Sequence, residues 1–100
     1  SGQATYRDGT VYVGGFVDGQ RSGHGHIKMK DGFEYAGKWR TGEIHGKGTA
    51  TYSNGDVYIG NFTEGRRQGD GTMRYATGVV VSGTWEDGNL EPEAEPVPSE

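Results

Sequence analysis

Glycine recurs on a fixed step of 23 residues, and that step limits what the chain can build. Gly9, Gly32, Gly55 and Gly78 follow it, as do Gly14, Gly37, Gly60 and Gly83, and Gly19, Gly42, Gly65 and Gly88. Gly23, Gly46 and Gly69 follow it too, and so do Gly25, Gly48 and Gly71. Between them the step carries Tyr12, Tyr35 and Tyr58 to Val81, and Phe16 to Trp39, Phe62 and Trp85. A period of this length marks stacked units, each too small to bury its apolar face without a neighbour. It divides the chain into a half repeat at 2–8, repeats at 9–31, 32–54 and 55–77, a partial repeat at 78–90 and a tail at 91–100.

Each unit reads as two short strands. The first is expected at 11–17, 33–40, 57–63 and 79–86, the second at about 23–30, 46–52 and 69–75. Loops of the Gly19-to-Gly23 type alternate with tight turns at Asp31-Gly32, Asn54-Gly55 and Thr77-Gly78, the strongest hairpin signal a sequence offers. No segment has helical periodicity. Strand alternation puts Tyr35, Gly37 and Trp39 on one face, and Gly46, Gly48, Ala50 and Tyr52 on one face of the next strand. Both sets fall on the same side of the sheet only if the intervening loop has an odd number of residues. Ser53-Asn54-Gly55 supplies three, with Gly55 left-handed, which pairs Tyr58 with Ala50, Gly60 with Gly48 and Phe62 with Gly46. This register lays each ring over a bare glycine.

The expected fold is therefore all-β: a single-layer antiparallel meander of tandem 23-residue hairpins, elongated and curved. Composition agrees. The chain has one leucine, 20 glycines and only 30% hydrophobic residues, so six Tyr, three Phe and two Trp carry the apolar load. On that reading Trp39→Ala costs roughly 2–4 kcal/mol, because a single sheet covers the ring incompletely. The opposite face reads as polar, with His24, His26, Lys28, Glu34, Lys38, Lys47, Thr49, Thr51, Asp70, Thr72 and Arg74, and with Lys28 set opposite Glu34 as a cross-strand pair.

The recurring string, clearest from Tyr35-Ala36-Gly37-Lys38-Trp39 through Gly42 to Gly46-Lys47-Gly48, resembles the MORN (membrane occupation and recognition nexus) repeat over about residues 2–90. Val81 departs from it, standing where an opening tyrosine is due, and the pattern stops after Leu90. The resemblance implies a non-enzymatic interaction module that binds protein partners along an aromatic groove. Association with acidic phospholipids has also been proposed for the family. It brings no catalytic residue and no cofactor.

The residues themselves support little other chemistry. His24 and His26 share a strand face but lack a third ligand, so they read as solvated histidines rather than a metal site. Ser22, Ser53 and Ser82 have no His–carboxylate pair suggested by the repeat, and the glycines sit on strands and hairpins rather than on a phosphate loop that leads into a helix. Asn61-Phe62-Thr63 fits the glycosylation pattern but falls within a strand. With no cysteine, disulfides and thiolate metal sites are excluded and the compartment stays open, a cytoplasmic or membrane-peripheral place being favoured. Four of the 14 acids and none of the ten bases lie in 91–100, which leaves a neutral body and gives no sign of nucleic-acid binding. The acidic, proline-containing tail reads as disordered.

Two surfaces remain. A row of rings on one face of a single sheet is hard to cover from within 100 residues, so Tyr12, Phe16, Tyr35, Trp39, Tyr58, Phe62 and Trp85 are expected to form an exposed strip that takes a protein partner or a second copy, the rival being a sheet that curls tightly enough to bury the strip itself. Lys28, Lys30, Lys38, Arg40 and Lys47 form a basic patch on the other face, a surface for peripheral binding to acidic phospholipid, although Asp31, Glu34 and Glu43 dilute it. The mid-repeat start at Ser1-Gly2 adds a third alternative, an accessory domain of a larger enzyme.

Overall fold

The computed structural model describes residues 2–91; the tail expectation, apart from Glu91, lies outside them. Among the described residues nine strands form one sheet: β1 (Gly2–Thr5), β2 (Val11–Val17), β3 (Gln20–Lys28), β4 (Glu34–Arg40), β5 (Glu43–Thr51), β6 (Val57–Thr63), β7 (Arg66–Arg74), β8 (Val80–Glu86) and β9 (Asn89–Leu90). Spatial order equals chain order and every pairing is antiparallel, as a meander requires. The body extends 56 × 27 × 16 Å, the proportions of a single layer with its side chains.

The long turns are three-residue loops. In the central one Tyr52 N–H donates to Asp56 C=O at 2.8 Å and Gly55 N–H to Tyr52 C=O at 2.9 Å, with Gly55 at φ 98°. The same pair of bonds closes the loops after Tyr6, Met29 and Tyr75. Asn54 Oδ1 accepts from Asp56 N–H, and Asp8 and Asp31 do the same for Thr10 and Phe33, so the turn residue that the sequence repeats also caps the loop. The register across this loop is the expected one: Tyr58 with Ala50, Gly60 with Gly48 and Phe62 with Gly46.

The other turns differ from expectation. Where the sequence suggested a loop from Gly19 to Gly23, the chain turns in two residues, and the second strands begin three residues earlier than expected, at Gln20, Glu43 and Arg66. The pairs Asp18-Gly19, Thr41-Gly42, Glu64-Gly65 and Asp87-Gly88 all have positive φ at both positions, the type I′ hairpin turn. The extra residues go into a bulge. Between Gly14 and Phe16 on β2 there is one residue, but between their partners Gly25 and Arg21 there are three, with Gly23 at φ 77°. β5 and β7 repeat this at Gly46 and Gly69. The bulge locally increases the strand's twist.

Thr41 is the β-branched residue of the four that open these turns, at φ 44°, a conformation that favours Asn, Asp or Gly. Thr41→Asn is therefore expected to stabilise the fold by about 1 kcal/mol and to raise Tm by about 5 °C. Thermal unfolding followed by circular dichroism checks this, and an unchanged or lower Tm shows that the threonine is unstrained.

Candidate docking face

Pairing sorts one face into rows. Ala4, Tyr12, Ile27, Tyr35, Ala50, Tyr58, Met73 and Val81 are successive partners, and beside them run Gly2, Gly14, Gly25, Gly37, Gly48, Gly60, Gly71 and Gly83. Each tyrosine lies flat across the glycine row. A Cβ on Gly25, Gly48 or Gly71 would sit 2.1, 2.2 or 2.0 Å from the hydroxyl of Tyr12, Tyr35 or Tyr58. Those hydroxyls donate to the carbonyls of Gly15, Lys38 and Asn61 at 3.0–3.1 Å. The third row supplies the wedges. Trp39 stands edge-on between Tyr12 and Tyr35, with ring centroids 5.2 and 5.5 Å away, and Phe62 stands between Tyr35 and Tyr58 at 5.2 and 5.1 Å. Phe16 and Trp85 end the series against Tyr12 and Tyr58. Near-perpendicular contact between ring edge and ring face is the arrangement aromatic quadrupoles favour. The indole N–H groups of Trp39 and Trp85 donate to Gly25 and Gly71 carbonyls.

The expected exposed strip is thus corrected. Tyr12, Tyr35 and Tyr58 are 0% exposed, and Trp39, Phe62 and Trp85 at most 6%; of the seven ring residues expected to line a groove only Phe16 stays open, at 37%. The sheet covers its own rings because glycine lets each tyrosine lie against backbone and because residues on the neighbouring strand lie over the rings. Arg21 places its guanidinium 4.9 Å from the Trp39 ring and 5.9 Å from Tyr12 and from Tyr6. Arg67, two repeats on, does the same over Trp85, Tyr58 and Tyr52. Ile44 holds the equivalent place between them and packs against the core. The sequence reading missed these caps; the two-repeat step from Arg21 to Arg67 was the available signal. The sequence put Tyr52 on the apolar face, and the same 23-residue step carries Tyr6 to Met29, Tyr52 and Tyr75; Tyr52 and Tyr75 pack partly buried against the core, while Tyr6 and Met29 stay 36–40% exposed.

Burial holds the three core phenols above their ordinary range near 10, Tyr35 reaching about 12. The folded state disfavours the phenolate, so this contribution to stability is complete below pH 10 and is lost as pH rises from 10 towards 12. An alkaline titration is expected to show phenolate absorbance from these tyrosines together with loss of strand signal. Their ionisation near pH 10 in a chain that stays folded would contradict the buried placement.

The other face carries Lys28, Lys38, Arg40 and Lys47, all exposed, while Lys30 lies in the turn after β3. Two details differ from expectation. Lys28 is opposite Glu34 in register, but the Glu34 carboxylate reaches diagonally to His26 Nε2 at 3.1 Å. The face is also not wholly polar: Val13 and Ile59 are 50% and 57% exposed on it. Among the described residues no three His, Cys, Asp or Glu side chains converge.

The tyrosine–glycine–wedge geometry recurs with each repeat, and the family model for the MORN repeat matches three consecutive stretches, 12–33, 35–57 and 58–80. The chain belongs to the MORN repeat family. Each matched stretch opens on one of the three buried tyrosines. MORN repeats are a non-enzymatic motif that generally mediates protein or membrane-lipid interactions. No curated protein matches this chain.

Proposed function

We propose that the chain is a non-enzymatic scaffold that docks a segment of a protein partner along its aromatic face. The supporting observation is the division of that face into a locked interior and an open fringe. Tyr12, Tyr35, Trp39, Tyr58, Phe62 and Trp85 form a rigid bed, while Tyr6, Phe16, Met29 and Leu90 stay 36–40% exposed on the same side. A pre-organised platform loses little conformational entropy on binding, and the uncovered fringe supplies apolar contact. The buried rings then act by shaping the surface, and the fringe makes the contact. Capture of a partner is expected to fail for Tyr6→Ala/Phe16→Ala/Met29→Ala and to persist for Val13→Ala/Ile59→Ala on the opposite face, with both variants folded. The reverse pattern overturns the assignment. Concentration-dependent sedimentation of the chain alone identifies a second copy as the occupant.

A second reading is peripheral attachment to anionic phospholipid through the opposite face. It is supported by Lys28, Lys38, Arg40 and Lys47, which have no carboxylate within ion-pair distance among the described residues. Changing Lys28, Lys38 and Lys47 to Glu is then expected to abolish sedimentation with phosphatidylserine vesicles at low salt, and retained sedimentation rejects it.

A further inference from the structure

We infer that the docking face selects an acidic segment, one that presents two carboxylate groups roughly 19 Å apart on either side of an apolar centre. The inference rests on the scaffold reading and names the chemistry of its partner. Along the strands of the aromatic face the charged side chains are Arg21 and Arg67, and no acid lies among them. Neither arginine is in an ion pair: those among the described residues are His26–Glu34 and Arg66–Asp87.

Their hydrogen bonds leave capacity for a ligand. Arg21 donates from Nη2 to the Gly42 carbonyl, and Arg67 donates to the Gly88 carbonyl and to the Tyr52 hydroxyl. A guanidinium carries five donors, so each keeps N–H groups uncommitted. The bonds to the next turn, with the rings beneath, hold each guanidinium in place. Only half-buried, each is restrained but still reachable from solvent. An arginine held this way loses less freedom on meeting a carboxylate than one that starts free in water.

Spacing defines the ligand. β3 and β7 are four strand steps apart, roughly 19 Å at about 4.8 Å per step. Between the two cations stands Ile44, the apolar occupant of the same repeat position. The strands of the face therefore present cation, apolar contact, cation, with Arg7 and Asp8 of the first long turn lining the cavity beside Arg21. An amphipathic helix with Glu at both ends of one face, fourteen residues apart, spans about 21 Å at about 1.5 Å per residue, within side-chain reach of that spacing, with leucines between.

The test uses synthetic helical peptides and fluorescence anisotropy against the intact chain. A peptide with Glu at both positions is expected to bind at least tenfold more tightly than its Gln counterpart and than one with the two Glu seven residues apart, and to weaken with added salt. Arg21→Gln/Arg67→Gln is expected to erase that preference with Tm measured alongside. Because the double variant loses turn contacts and risks unfolding, Ile44→Arg gives an independent arm: it is expected to create a preference for a peptide with a third Glu at its centre. Equal binding of Glu and Gln peptides overturns the acidic partner but leaves the scaffold reading intact. Glu-peptide binding that is lost in Tyr6→Ala/Met29→Ala supports both. Binding by no peptide overturns this inference, while the scaffold reading stands or falls on partner capture by the fringe variants.

Discussion

Gly48→Ala is expected to remove about 3–5 kcal/mol of stability, a large part of what a domain of this size has. The new methyl would sit 2.2 Å from Tyr35 Oη and 2.4 Å from its Cε1 and Cζ. The ring cannot step aside. It is fully buried, wedged between Trp39 and Phe62, and tied by its hydroxyl to the Lys38 carbonyl. Accommodating the methyl means expelling Tyr35, the largest fully buried side chain of the central repeat. Gly65→Ala is the control: no atom lies within 4 Å of its Cβ position, so only its φ of 83° is unfavourable and a cost near 1 kcal/mol is expected. Urea unfolding of both variants separates a steric clash from backbone strain. A loss below about 1 kcal/mol for Gly48→Ala would mean that the tyrosine is not seated on the glycine.

Trp39→Ala is expected to cost about 3–5 kcal/mol, above what an incompletely covered ring would give. Trp39 is 6% exposed, touches tyrosines of two successive repeats, and satisfies the Gly25 carbonyl through its indole N–H. Its loss cuts the ring series between Tyr12 and Tyr35. Trp39→Phe should cost only about 1 kcal/mol, since Phe62 fills the equivalent position without that hydrogen bond. Equal losses for both substitutions would place the stabilisation in the hydrogen bond rather than in the wedge.

The long turns were legible because alternation on both flanks fixes loop parity: only an odd loop at Ser53-Asn54-Gly55 keeps Ala50 and Tyr58 on one face. The short turns were not, because Gly19 and Gly23 are each compatible with a turn. The sequence offers no way to tell that Gly19 bends the hairpin while Gly23 bulges the strand. The identity of the core rings was readable from the 23-residue step, but their burial was not. Counting residues on a face treats side chains as upright, whereas Tyr12, Tyr35 and Tyr58 lie down across glycine and Arg21 and Arg67 lie over rings. A long charged side chain covering an aromatic face leaves no trace in hydrophobic patterning. The choice of His26 over Lys28 by Glu34 was equally hidden, since diagonal and direct cross-strand neighbours both lie within reach.

Because strand order follows chain order and each ring touches only the hairpins beside it, among the described residues no strand closes the sheet and no distant segment fixes its size. Duplicating or deleting one unit of 23 residues is expected to change the count of hairpins and to leave the packing of the rest as it was. Each unit adds two strands, roughly 10 Å of sheet. The length of the surface is thus set by repeat number alone, and duplication of a unit extends its reach without redesigning a core.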